Sequence, residues 1–121
     1  MRKKGYRGVR CVKQHFDKCE GICKTYDKIQ TAYARELQKN SDIVSFQSNV
    51  QIESPDGTAY TSDFVATRSN GKILVRECVW RKHLSWPTVA KLLDMSRSYW
   101  LSKGVEDWGI VIEKEDVDEG E

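Results

Sequence analysis
From Tyr26 onward the apolar positions fall into regular periods. Tyr26, Ile29, Tyr33 and Leu37 recur at i, i+3, i+7 and i+11, one stripe of a helix running to about Lys39. Asn40-Ser41-Asp42 ends it with residues that prefer turns. From Ile43 to Glu53 the period shortens to two, with Val44, Phe46, Val50 and Ile52 broadly alternating, which predicts a strand. Ser54-Pro55-Asp56-Gly57 is a turn, Tyr60–Thr67 a second strand, Ser69-Asn70-Gly71 a second turn, and Lys72–Trp80 a third strand. Short turns make these three an antiparallel meander.

Ser85 and Pro87 then stand where a helix start places a cap and a first-turn proline. Val89, Leu92, Leu93, Ser96 and Trp100 follow a helical stripe to Gly104, a natural stop. Trp108–Ile112 reads as a last strand, brought parallel to the third by the helical crossover. The first 24 residues show no sustained period and read as an irregular basic arm with one short strand. The expected architecture is a single α/β domain of order αβββαβ over residues 25–113, a mixed sheet flanked by helices on opposite faces.

Length and composition agree with one core: 121 residues, 39% hydrophobic and 31% charged. No apolar run reaches the roughly 18 residues needed to span a bilayer. Met1-Arg2-Lys3-Lys4-Gly5 has no apolar segment behind it, so it does not read as a secretory signal. With four cysteines expected as reduced thiols, this places the protein in the cytoplasm.

The formal charge of +2 hides a polarity along the chain. Residues 1–28 carry nine Lys/Arg against Asp17, Glu20 and Asp27, while residues 113–121 carry six acids against Lys114. A basic end favours a polyanion such as DNA, and the acidic tail (114–121) repels one; each end also reads as a solvated arm.

Cys11, His15, Cys19 and Cys23 are spaced Cys-x3-His-x3-Cys-x3-Cys. On a helix the outer two would lie about 18 Å apart, too far for one ion. The Cys-x2-Cys knuckle of structural zinc is missing, so ordinary thiols are the favoured reading.

Two acids stand inside apolar strands: Asp63 in Tyr60-Thr61-Ser62-Asp63-Phe64-Val65, and Glu77 in Ile73-Leu74-Val75-Arg76-Glu77-Cys78-Val79-Trp80. An unpaired charge there is expensive. Adjacent strands would bring the two together, either as a divalent-cation site or as acids neutralised by Arg76 or Arg81.

Asp63, the Gly71 turn and Glu77, two residues before a strand position that holds Lys, resemble the layout of the PD-(D/E)XK nucleases. More specifically, four stretches resemble the catalytic domain of TnsA-type transposon endonucleases. They are Ile43-Val44-Ser45-Phe46, Tyr60-Thr61-Ser62-Asp63-Phe64, Gly71 through Val79, and Trp86 through Lys91 to Gly104. The resemblance runs from about Gly21 to Glu113. It implies a restriction-endonuclease-like fold and metal-dependent DNA cleavage, with Asp63 and Glu77 holding Mg²⁺ or Mn²⁺.

Two positions depart from that pattern: the lysine is Val79 and the helix glutamate is Gln30. Lys91 on the following helix is the candidate replacement base, and Arg81, with too high a pKa for base work, a phosphate contact. DNA contacts are expected from Arg2, Lys3, Lys4, Arg7, Arg10, Lys13, Arg76, Arg81 and Lys82, with Tyr6 and Phe16 stacking on bases or anchoring the arm. Trp80, Trp86, Trp100 and Trp108 are expected in the core. The functional expectation is a TnsA-like DNA-binding protein with an incomplete active site, cleaving weakly or with a protein partner. The alternative, favoured by the two departures and the acidic tail, is an inactive nuclease-fold module with an interaction or regulatory role.

Overall fold
The computed structural model describes residues 11–53, 57 and 59–114. Arg2, Lys3, Lys4, Tyr6, Arg7, Arg10, most of the Ser54–Gly57 turn and residues 115–121 lie outside them. Two short strands come first, β1 (Val12–Gln14) and β2 (Cys23–Thr25), then α1 (Lys28–Lys39), β3 (Ile43–Glu53), β4 (Ala59–Arg68) and β5 (Ile73–Cys78). A single 3-10 turn (Arg81–His83), α2 (Pro87–Ser102) and β6 (Asp107–Val111) complete the order. From α1 on, this is the expected αβββαβ arrangement.

The expectation of an irregular first segment is corrected. β1 and β2 pair antiparallel, Val12 opposite Thr25 and Gln14 opposite Cys23. Strands of three residues are too short to show a period, and β1 is largely exposed, so no pattern marked them. This segment joins the body of the fold. Cys19 bridges to Phe46, and Phe16 packs on the Phe46 ring with centroids 6.1 Å apart.

Capping chemistry sets the helix ends. α1 begins at Lys28 rather than Tyr26, because Asp27 takes the N-cap with an extended backbone and accepts the Gln30 N–H at 2.8 Å. α2 has its proline at the first position, but Trp86, not Ser85, holds the cap and gives no side-chain bond. Its far end closes on Gly104, whose φ of +86° suits a residue without Cβ. The Gly104 N–H donates to the Leu101 carbonyl and the Val105 N–H to that of Trp100.

The main sheet has the order β3-β4-β5-β6, antiparallel through β5 and parallel between β5 and β6. One face packs on α1: Ile29, Ala34 and Leu37 join Phe46, Phe64, Ala66, Leu74 and Cys78, and the Tyr33 ring meets Phe64 edge-on at 5.5 Å. The other packs on α2, where Val89 and Leu93 cluster with Val79, Leu84 and Trp108. Fully burying side chains of this size contributes about 1.5–3 kcal/mol each, so both helices are held mainly by these faces.

Strand alternation breaks first where the β3–β4 register shifts between Ile43 and Ser45, which puts both Ile43 and Phe46 in the core, and again farther along. Phe64 faces α1, yet Ser62, two residues earlier, accepts a hydrogen bond from the Trp100 indole of α2. Across the ladder, Ser48 pairs with Phe64 and Val50 with Ser62, and the intervening Asn49 has φ +57°. Asparagine tolerates that left-handed conformation, and here its side chain donates to the Lys24 carbonyl. Asp63 lies at this turnover. The β4–β5 ladder ends nearby at Phe64–Arg76, while β5 stays paired with β6 through Cys78–Val111.

Candidate functional site
The gap beyond Phe64 and Arg76 contains both strand acids. Asp63 is 2% exposed and Glu77 fully buried. They meet through the main chain: the Asp63 N–H donates to Glu77 Oε1 at 3.0 Å, and the Cys78 N–H donates to Asp63 Oδ2 at 2.7 Å. The side chains thus supply the acceptors that a continued ladder would have provided.

Their remaining oxygens are also engaged. Gln30 Nε2 on α1 donates to Asp63 Oδ1 at 3.2 Å, while Gln30 Oε1 accepts the Tyr26 N–H. The Tyr60 hydroxyl donates to Glu77 Oε1 at 3.1 Å, and the Ser96 hydroxyl of α2 donates to Glu77 Oε2 at 2.8 Å. Ser96 Oγ in turn accepts from the Trp108 indole. Through these bonds the pair ties α1, β4, β5, α2 and β6 together.

The residues fit a divalent ion poorly. Mg²⁺ is held in a near-octahedral shell that usually retains several waters. Here each carboxylate oxygen already accepts a protein donor in a buried position. Gln30, at the helix ligand position, turns its amide N–H toward Asp63 and commits its oxygen elsewhere. Among the described residues no three His, Cys, Asp or Glu side chains are grouped to hold a metal.

Lys91 is exposed on α2, and the α2 residue that reaches Glu77 is Ser96. Val79 is buried in the cluster with Val89 and Leu93, where a lysine ammonium would be desolvated. Sequence reasoning missed Ser96 and Tyr60 as partners. The signal for Ser96 was a hydroxyl on an otherwise apolar stripe.

The expected DNA contacts divide. Arg76 is only 20% exposed and donates to Asp107 Oδ1 at 2.7 Å and to the Val75 and Asp107 carbonyls, so it does not neutralise the acid pair and is engaged within the fold. Arg68 joins it, bonding Asp107 at 2.8 Å and Asp42 at 2.6 Å. Burial alone would raise the Asp107 pKa, but hydrogen bonds from Arg68 and Arg76 outweigh it and hold the carboxyl below its ordinary range. Asp42 is held down first by the Ser69 hydroxyl, then by Arg68.

Lys13, Arg81 and Lys82 are exposed. Arg81 does not continue the strand on Glu77's face: β5 ends at Cys78, and Arg81 opens the 3-10 turn, its N–H donating to Glu113. Trp86 corrects the core expectation, being 52% exposed.

All four cysteines are free thiols. Cys19 and Cys23 lie side by side in the core, and burial, then the neighbouring Cys23, pushes the Cys19 thiol up to about 12. His15 is exposed and Cys11 partly so. Among the described residues no helix is long and apolar enough to cross a membrane. No protein-family model matches the chain, and neither does any curated protein.

Proposed function
We propose that the chain is a nuclease-fold DNA-binding module of the TnsA-like type, in which the Asp63–Glu77 pair braces the opening between β4 and β5 instead of cutting DNA. One observation carries the reading: every oxygen of the two buried carboxylates accepts a hydrogen bond from the protein itself. Exposed Lys13, Arg81 and Lys82 and the basic first residues supply positive charge for the phosphate backbone.

A second reading, DNA cleavage with Mg²⁺ or Mn²⁺, is favoured by the meeting of two acids in one gap. It requires the Gln30 and Ser96 bonds to be exchanged for an ion. The test is a plasmid-nicking assay run beside thermal unfolding, with and without millimolar Mn²⁺, for the wild type and Asp63→Asn. The bracing role gives intact plasmid and an unfolding temperature indifferent to Mn²⁺. Nicking together with a Mn²⁺-dependent rise in unfolding temperature, both lost in Asp63→Asn, establishes the second reading.

A further inference from the structure
The two borders of the main sheet are finished differently. Along β3 the segment from Lys18 to Lys24 covers the outer edge. The Phe46 N–H donates to the Lys18 carbonyl at 2.8 Å, the Glu20 N–H to the Phe46 carbonyl at 3.0 Å, and Asn49 Nδ2 to the Lys24 carbonyl at 2.8 Å. At the opposite border, β6 is paired with β5 alone. The Val79 N–H donates to the Val111 carbonyl, so Val111 and, by strand alternation, Gly109 turn their main-chain groups toward β5. Trp108, Ile110 and Ile112 turn theirs outward. Among the described residues the one bond made there is local, the Trp108 N–H donating to the Glu106 carbonyl at 3.1 Å.

A bare border is a template for another strand, and proteins blunt it with Lys, Pro, a bulge or a covering segment. β6 has none of these: its register with β5 is unbroken, and Trp108-Gly109-Ile110-Val111-Ile112 carries no charge. Ile110 is 41% exposed and shares a face with Trp108. The strand also fits a copy of itself. Antiparallel pairing about a two-fold axis at Ile110 sets Ile110 against the second copy's Ile110 and Trp108 against its Ile112. The outward residues then exchange main-chain bonds, with apolar side chains meeting across the join. Beyond the strand, exposed Lys114 of one copy comes opposite exposed Glu106 of the other. Lys114 is loosely held within its own copy, 3.7 Å from Glu36 with both side chains more than half in water. Asp107 and Glu113 also face each other, but Arg68 and Arg76 already neutralise Asp107. An unrelated peptide would meet the same main chain without this double match of apolar and charged positions.

We propose that two copies of the chain join through β6, edge to edge and antiparallel, into one continuous sheet with four strands from each. The two-fold axis stands perpendicular to that sheet, so both copies of α1 cover one face and both copies of α2 the other. The inference is independent of the DNA-binding reading.

The test is sedimentation equilibrium with amide hydrogen exchange, for the wild type, Ile110→Lys, Ile110→Pro, Lys114→Glu and Lys114→Glu/Glu106→Lys. Circular dichroism confirms folding of each variant; an edge position whose N–H faces outward tolerates proline. The wild type is expected to reach twice the chain's mass as its concentration rises, with exchange of the Ile110 and Ile112 amides slowing in step. Ile110→Lys sets two ammonium groups together at the axis, and Ile110→Pro removes a donor from each copy. Each is expected to weaken the dimer at least about tenfold. Lys114→Glu weakens it by about two- to fivefold, and adding Glu106→Lys restores it. A wild type that stays a monomer up to about a millimolar overturns the proposal. So does a dimer that both Ile110 variants leave intact, or one in which the Ile110 and Ile112 amides exchange as fast as in the monomer. Failure of the charge swap to restore the dimer overturns the antiparallel register.

Discussion
Ser96 shows how much of the site depends on single atoms. Its hydroxyl donates a hydrogen bond to Glu77 and accepts one from the Trp108 indole, so its removal strands a buried carboxylate oxygen and a half-buried indole at once. Ser96→Ala is expected to lower folding stability by about 1–3 kcal/mol, measured by urea unfolding, without altering the secondary structure. Asp63 and Glu77 were visible in the sequence because an acid within an apolar strand is conspicuous. Their partners were less so. Tyr60 lies seventeen residues and Ser96 nineteen residues from Glu77, and neither distance leaves a local trace. Gln30 was found by its position, and its amide N–H gives a hydrogen bond to Asp63.

Among the elements, β3 was read to its ends because alternation, a preceding turn and a following Pro-Asp-Gly all bound it. The parallel placement of β6 followed from the helical crossover after β5 rather than from any single residue. What no pattern revealed is the ionic seam at one end of the sheet, where β4, β5 and β6 share Asp107. Because hydrogen bonds from Arg68 and Arg76 depress the Asp107 pKa below 3.8, this seam stabilises the fold above that pH and loses its effect as the pH falls through the lowered value. Asp107→Asn should therefore unfold at a lower temperature than the wild type at pH 7, with the gap narrowing as the pH falls below 3.8 through the lowered value. The side chains are 30–37% exposed at the Arg68–Asp107 contact, so solvent screens it and the difference is modest. An unchanged gap across that range would assign the stability to packing.

At the scale of the molecule, charge and core are laid out separately. Residues 1–10 contain Arg2, Lys3, Lys4, Arg7 and Arg10 and no acid, whereas the described cations near the sheet are partly consumed by ion pairs. Replacing those five residues by Gln is expected to flatten the salt dependence of duplex binding, by about 0.9 in log–log slope for each phosphate left without its cation. An unaltered slope would assign duplex binding to the folded body alone. The order of the strands also bears on synthesis. β5 carries Glu77 yet gains its parallel neighbour only from Asp107–Val111, made after the whole of α2. On the ribosome, a nascent chain halted before Asp107 leaves Ile73-Leu74-Val75 as an unpaired apolar border, so incomplete translation products are the species most prone to stick to one another.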